Sequence, residues 1–408
     1  MNTIAVLASS DTKEAEIGFV SSQITANGGR ALTIDISTSR AHESLSHIRR
    51  EEVAEAAGFR WAEIEDRPKD FLLDVMAKGA VELFQELHSS NRIQGALGLG
   101  GLQNTTIAAR AMQALPIGVP KLIVSTVACG TRTFDGIVGT KDITVMPSIT
   151  DLAGLNPISE QVLANAAAAV TGMVHAGGRQ IIVPKRSTVG TTLMGATNDG
   201  VARAVAELET AGLSVMSFHA TGVGGQILEE LVADGTLAAT MDLTLHEIVY
   251  EYFGGGFGAG TENRLSAAAE AGIPMVVAPG GLDFICQWRG ELFPDAADRK
   301  VIWHNAQLAH VKLTELEARA IARLVVERLN QARGPVTVLL PTQGLRTYAR
   351  PGEALHDPVV DAAILEEFRT GLAPRIRVRT VDANLVDPGF AHVAASEMLR
   401  LIELEGAA

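Results

Sequence analysis

The residues able to do chemistry in this chain fall in short polar runs, each directly after an apolar stretch. Ala8-Ser9-Ser10-Asp11-Thr12-Lys13 opens a helical pattern. Its Ser or Asp can cap the helix, while the N–H groups there attract an anion and Lys13 supplies a counter-charge. Taken alone, plain capping is the simpler account of this loop. Gly98-Leu99-Gly100-Gly101-Leu102-Gln103-Asn104-Thr105-Thr106 carries more: its glycines let a ligand approach the backbone, and Asn104 to Thr106 open the next helix. The run is neither GxGxxG nor a P-loop, and a phosphate or ribose contact stands level with a tight structural turn. A third run, Ser125-Thr126-Val127-Ala128-Cys129-Gly130-Thr131, ends another apolar stretch with hydroxyls. Cys129 lacks a histidine nearby in sequence and reads as a small buried residue rather than a nucleophile.

The second half repeats the theme. Phe218-His219-Ala220-Thr221-Gly222-Val223-Gly224-Gly225 suits an anion, and His219 can contact a ligand, act as acid or base, or simply be bonded at a strand end. Asp242-Leu243-Thr244-Leu245-His246-Glu247 gathers two carboxylates and an imidazole. The glycine-rich run from Phe253 to Gly260 suits a mobile lid, and Ala278–Asp283 and His304-Asn305 add further polar ends. The expected roles are His219 or His246 as acid or base, with Asp242 or Glu247 orienting it or binding magnesium. Thr221, Gly224, Gly225 and His304 are expected to hold substrate. His246-Glu247 lacks the second histidine of HExxH, so no protein-ligated metal is assigned; magnesium brought in with a nucleotide needs only one or two carboxylates. No GxSxG elbow is present for a Ser/His/Asp hydrolase.

The elements that must position these runs alternate along the chain. Strand patterns at Thr3–Ala8, Ala31–Ile36, Ala96–Leu99 and Lys121–Thr126 interleave with helical patterns at Lys13–Ala26, Phe71–Leu87 and Gln103–Ala114. A long alanine-rich helix is expected over Asp151–Ala176, then a brief strand at Gln180–Val183. Arg40–Arg67 is the most polar stretch and reads as a surface excursion. The alternation restarts with strands at Thr191–Gly195, Leu213–His219, Met275–Ala278, Val336–Leu340 and Arg375–Thr380. Helices are expected at Asp199–Ala211, Gly225–Ala233, Glu315–Asn330, Pro358–Phe368 and Ala391–Leu401. This is the pattern of two tandem, open, mostly parallel α/β domains, the first Rossmann-like, spanning 1–178 and 179–408. Such pairs often bind a ligand in a cleft between domains, and open sheets bind at the carboxyl ends of their strands.

Composition narrows the partners. Of 408 residues, 34 are Lys or Arg and 47 Asp or Glu, a net charge of −13. That field repels nucleic acid and anionic membranes, so any phosphate must be held locally. No span is apolar enough for a membrane, no signal peptide is evident, and two cysteines suit a reducing compartment; the cytoplasm is expected.

Several ordered blocks resemble one family. They include ASSDTKEAE, ALPIGVPKLIVSTVA, GTKDITVMPSITDLAGLN, GATNDGVARAV, FHATGVGGQILEELVADGTLAATMDLTLHE, APGGLDF, HNAQLAHVKLT and PTQGLRTYA. Together they are similar to the ATP-binding domain family named after the tomato mosaic virus resistance protein, which has uncharacterised bacterial and fungal members. The resemblance implies two α/β lobes, the first binding ATP, and a tendency to form homodimers. In the plant relative it implies inhibition of a viral replication protein. Two departures stand out. Residues 8–10 are Ala-Ser-Ser where Gly-Thr-Leu is frequent, and residues 128–130 are Ala-Cys-Gly where a Ser-Gly pair is common. Asp11, Thr12 and Lys13 are retained, so the cofactor-binding set expected for ATP, with or without Mg2+, is Asp11, Thr12, Lys13, Gly98, Gly100, Gly101 and Thr126.

The leading expectation is an ATP-binding protein that acts on a small acidic or sugar-like metabolite. The alternatives are a non-catalytic, nucleotide-regulated module that binds another protein, and a metal-dependent hydrolase or lyase that uses no nucleotide.

Overall fold

A computed structural model describes residues 1–39, 43–128, 135–177, 188–256, 258 and 263–406. The chain divides into two compact units, Met1–Ile181 and Ile182–Ala408. Cys129, the strand expected at 180–183, and positions 257, 259 and 260 of the glycine-rich run lie outside the described residues.

The first unit runs β1 (Thr3–Ala8), α1 (Ser10–Ala26), β2 (Arg30–Asp35), α2 (Arg50–Ala56), α3 (Trp61–Ile64), α4 (Lys69–Ser89), β3 (Gly95–Gly100) and α5 (Leu102–Gln113). It continues with β4 (Lys121–Ser125), α6 (Asp135–Val138), β5 (Thr144–Pro147) and α7 (Pro157–Ala176). Its five strands pair in parallel in the order β2-β1-β3-β4-β5. β1, β3 and β4 are buried along their whole length, as parallel strands covered on both faces must be. Alternate residues of β1 serve different layers. Ala5 and Leu7 join the core of α4 and α5, whereas Ile4, Val6 and Ala8 join that of α1 and α7.

Two expectations change here. The polar stretch 40–67 is not only surface: Ile48, Val53, Ala54, Trp61 and Ile64 are buried against the sheet core. Short helices with widely spaced apolar residues hide their inward face from a reading of average polarity. The long helix starts at Pro157 rather than Asp151, because Asn156 caps it with bonds from the N–H groups of Ile158 and Ser159.

The second unit runs β6 (Thr188–Leu193), α8 (Asn198–Thr210), β7 (Ser214–His219), α9 (Val223–Ala233), β8 (Ala239–Thr244), α10 (His246–Tyr252), α11 (Ser266–Ala271) and β9 (Met275–Gly280). There follow β10 (Phe284–Trp288), β11 (Val301–Trp303), β12 (Leu308–Lys312), α12 (Glu315–Leu329), β13 (Val336–Pro341), α13 (Pro358–Gly371), β14 (Arg377–Val381) and α14 (Pro388–Gly406). Six parallel strands form the main sheet, in the order β7-β6-β8-β9-β13-β14. α8 and α14 cover one face through Val201, Leu208, Phe390 and Met398. The other face meets α9 to α13 and a small antiparallel sheet, β10-β12-β11, that the alternation of patterns does not announce. No helix among the described residues is long and apolar enough to cross a membrane.

Candidate functional site

In the first unit β1 and β3 are neighbours, yet α1 and α5, which follow them, pack on opposite faces. Open sheets leave a crevice at such a reversal, outside the carboxyl ends of the strands. A cavity of about 670 Å³ occupies that place, within the range of small-molecule sites. Ser9, Asp11, Thr12 and Lys13 line it from the start of α1, and Gly101, Leu102, Gln103 and Asn104 from the start of α5. Two helix N-termini therefore open on one space. A third wall comes from Thr38 and Ser39 after β2, and from Glu65, Arg67 and Lys69 around the start of α4. Lys13, Arg67 and Lys69 outnumber Asp11 and Glu65, so the lining is locally positive in an acidic chain.

Hydrogen bonds hold this framework. Ser9 Oγ donates to Asn104 Oδ1 at 2.7 Å, and Asn104 Nδ2 donates to the Leu99 carbonyl, so the two helix starts are tied together. Gly100 makes the approach feasible. Its φ is +142°, and a Cβ there would lie 2.5 Å from Asn104 Nδ2. Asp35, fully buried at the end of β2, accepts from the Ser10 and Ser37 N–H groups at 3.0 and 2.9 Å. Burial alone would raise its carboxyl, but the bonds from Ser10 and Ser37 outweigh it and hold the pKa below the ordinary value. Asp11 N–H donates to Ser37 Oγ, and Asp11 Oδ1 is buried without a protein partner.

Of the residues expected around a nucleotide, Asp11, Thr12, Lys13 and Gly101 line this cavity and Gly100 shapes its edge. Gly98 sits inside β3, where a Cβ would come 2.6 Å from Ala108 Cβ; it seats α5 on the sheet. Thr126 lines an adjacent cavity of about 440 Å³ with Ser125, Ser148, Thr150 and Asp151. Arg67, Lys69 and Glu65 were hidden in the polar stretch, although a cation on each side of Pro68 before a helix was a readable signal.

In the second unit Asp242, Glu247 and Glu229 converge on Arg264, a fully buried guanidinium. Its Nη2, Nε and Nη1 donate to them in that order, each at 2.6 Å. Burial works against the charge on Arg264, but the three carboxylates more than offset it and raise its pKa. Burial raises the carboxyls of Glu229 and Glu247 despite the arginine. Glu247 Oε1 also accepts from the N–H groups of Gly222 and Gly225, which fixes the start of α9. A Cβ on Gly225 would fall 1.9 Å from Glu247 Oε2, so only glycine admits this contact. Glu229 accepts from Leu265 and Ala267 N–H as well.

His219 and Thr221 lie on the loop that Glu247 anchors; His219 is exposed, with Nδ1 2.9 Å from Thr221 Oγ1. His246 follows the same strand end but goes elsewhere. It is fully buried, with Nδ1 2.8 Å from the Gly281 carbonyl and its ring stacked 4.1 Å from that of Phe284. Burial lowers its pKa to about 4, so it is neutral at ordinary pH. Thus the structure joins Asp242 and Glu247, links them through Gly225 to the loop of His219, Thr221 and Gly224, and separates both from His246. His304 is exposed and stacks on His310 with centroids 5.2 Å apart. No group of three or more His, Cys, Asp or Glu arranged for a metal is found among the described residues. The cation among Asp242, Glu247 and Glu229 is Arg264 itself.

With this geometry in hand, comparison with known proteins is decisive on kinship. Models described as Uncharacterised protein family (UPF0261), N-terminal domain and C-terminal domain, match residues 2–178 and 186–402. The chain belongs to this family. It is similar to a UPF0261 protein of Clostridium tetani (strain Massachusetts / E88), 33% identical over 407 residues that cover 98% of this chain and 99% of that one. It is also similar to the ToMV resistance protein Tm-1(GCR237) of Solanum lycopersicum, 32% identical over 334 residues, 80% of this chain but 44% of the tomato protein. The kinship expected from the sequence blocks therefore holds. Among solved structures, ADP-heptose lps heptosyltransferase II of E. coli aligns with a TM-score of 0.22 at 11% identity over the whole of both chains, too slight a likeness to build on.

Proposed function

We propose that the first unit binds a nucleotide through its phosphates, ATP above all, in the cavity where β1 and β3 part. The observation that carries this reading is the convergence of two helix starts on one cavity rimmed by Lys13, Arg67 and Lys69. Backbone N–H groups at the start of α5, Leu102 to Asn104, meet phosphate oxygens, while α1, whose first N–H groups are bonded within the protein, offers the side chains of Thr12 and Lys13; the three cations balance charge that a chain of −13 would otherwise repel. Asp11 and Glu65 are the carboxylates at hand for an accompanying magnesium ion, and the unpartnered Asp11 Oδ1 fits that task. Thr126 and the hydroxyls near it extend the polar surface beside the cavity.

On this reading the second unit handles a small acidic or sugar-like metabolite, with the exposed His219 and His304 as its reachable imidazoles. Asp242 and Glu247 act by positioning the His219 loop through Arg264 and Gly225. The test is calorimetric titration of the full chain with ATP, with and without magnesium, beside Lys13→Ala and Arg67→Ala. Micromolar binding weakened in both variants is the expected result. ATP binding unaltered by both, or none to the native chain, refutes the assignment.

A further inference from the structure

Among the described residues of the second unit, two arginines, Arg264 and Arg346, are fully buried, and they are held differently. Every nitrogen of Arg264 has its own carboxylate. Arg346, just as buried, spends only Nε, which donates to both oxygens of Asp283 at 2.9 and 3.0 Å. Its Nη1 and Nη2 are enclosed by protein and have no acceptor. Buried polar groups are almost always paired, and an idle charged donor is among the costlier exceptions. Its Cζ lies 3.7 Å from the centre of the Phe284 ring. On that same ring, 4.9 Å from its centre, sits His310, whose Nδ1 is also buried without a partner. Two idle donor groups of one side chain and an idle imidazole nitrogen thus share one aromatic platform.

We infer that the second unit holds a binding site for the carboxylate of a small organic acid, formed by Nη1 and Nη2 of Arg346 with Nδ1 of His310. The chemistry selects that group. The two Nη atoms of a guanidinium form a planar fork whose spacing matches the two oxygens of a carboxylate. A phosphate dianion would call for a second free cation, and the adjacent Lys312 is committed, with Nζ 2.8 Å from both Asp283 Oδ2 and Asp361 Oδ1. Phe284, with His246 stacked at 4.1 Å on one face and the guanidinium at 3.7 Å on the other, holds the plane of the fork in place. The cluster also reaches solvent. His310 stacks on exposed His304 and meets the partly exposed Tyr348 edge-on at 5.8 Å, so these two side chains form its outer end. Asp283 is a positioning residue. It holds Arg346 by Nε, and its own carboxyl, which burial would raise, is kept well below the usual range by Arg346 and Lys312.

The experiment is calorimetric titration of the full chain with oxalate, succinate and benzoate, with inorganic phosphate as comparator. At least one carboxylate should bind saturably, and more tightly than phosphate. Arg346→Lys keeps the charge on Asp283 but removes the fork, and it should weaken that binding about 10- to 100-fold, the worth of a charge-assisted pair. Lys13→Ala should leave it unchanged, so failure of the nucleotide reading is distinguishable from failure of this one. A thermal melt checks that the lysine variant folds; if it does not, His310→Gln takes its place with the same readout. No saturable carboxylate binding by the native chain, phosphate binding tighter than every acid, or unchanged affinity in the folded variant overturns the site.

Discussion

Replacing Arg264 by methionine should be the most damaging single change in the second unit, and its cost can be worked from the structure. The guanidinium holds three buried carboxylates at 2.6 Å each. Methionine fills much of the volume, so the loss is electrostatic rather than a cavity. Without Arg264, Glu229 keeps the N–H groups of Leu265 and Ala267, and Glu247 keeps those of Gly222 and Gly225. Asp242 retains only the Thr192 hydroxyl. Removing one partner of a buried ion pair costs about 3–5 kcal/mol, which for a unit of this size is a fall in Tm of about 6 to 20 °C. Urea unfolding followed by tryptophan fluorescence reads it. In a Trp61→Phe background, Trp288 and Trp303 report the second unit alone.

The pH dependence carries the sharper test. Glu229 and Glu247 already have raised pKa values through burial. A carboxyl raised in the folded state favours folding at low pH, and that contribution is lost as pH climbs through the folded value. Taking away the arginine raises these values further and extends the loss upward in pH. The deficit of the variant should therefore be larger near about pH 7.5 than near about pH 5.5, which lies closer to the ordinary carboxyl range. A deficit under about 1 kcal/mol, the scale of an exposed ion pair, would refute the reasoning, as would a deficit equal at both pH values.

Two further outcomes follow from the same physics. Asp35→Asn should destabilise the first unit at neutral pH. Because the folded carboxyl lies below its ordinary pKa, its contribution is present above the unfolded value and lost as pH falls through the folded one, so native and variant urea midpoints should converge in acid. Cys286, buried and pushed up to about 11 by burial, should react with a thiol reagent such as DTNB only as fast as the second unit opens. Prompt labelling of the native protein would contradict its placement.

Most of the architecture was written in periodicity. The parallel strands with continuous apolar runs, such as Ile4–Ala8 and Leu122–Val124, are legible because both their faces are buried. β8 was harder, since Thr240, Asp242 and Thr244 are buried polar residues that interrupt the run, and the partners of Asp242 and Thr244 (Thr192, Thr197 and Arg264) are distant in sequence. The small sheet of β10 to β12 eluded reading for the same kind of reason, its strands carrying His310 and Lys312 inside. At the candidate sites, the strand-end rule pointed to Ser9–Lys13 and Gly100–Gly101 because helix starts announce themselves locally. It could not show that His246 and Glu247, adjacent in sequence, diverge onto Phe284 and Arg264. Nor could it single out Arg346, whose interest lies in the acceptors it lacks.

The first turn of α1 has a mechanical consequence. Lys13 departs from helical angles, at φ −130° and ψ 21°, so Ser10 to Thr12 form a turn set off from the body of the helix. That turn is tethered sideways, by Ser10 N–H to Asp35 and Asp11 N–H to Ser37 at the end of β2. A load applied at Asp11 or Thr12 is therefore borne by the edge strand β2 and the segment after it, the same segment that supplies Thr38 and Ser39 to the cavity wall. The start of α1 and the segment after β2 are thus coupled as one wall, while α1 beyond Lys13 is packed into the core through Ile17, Val20 and Ile24.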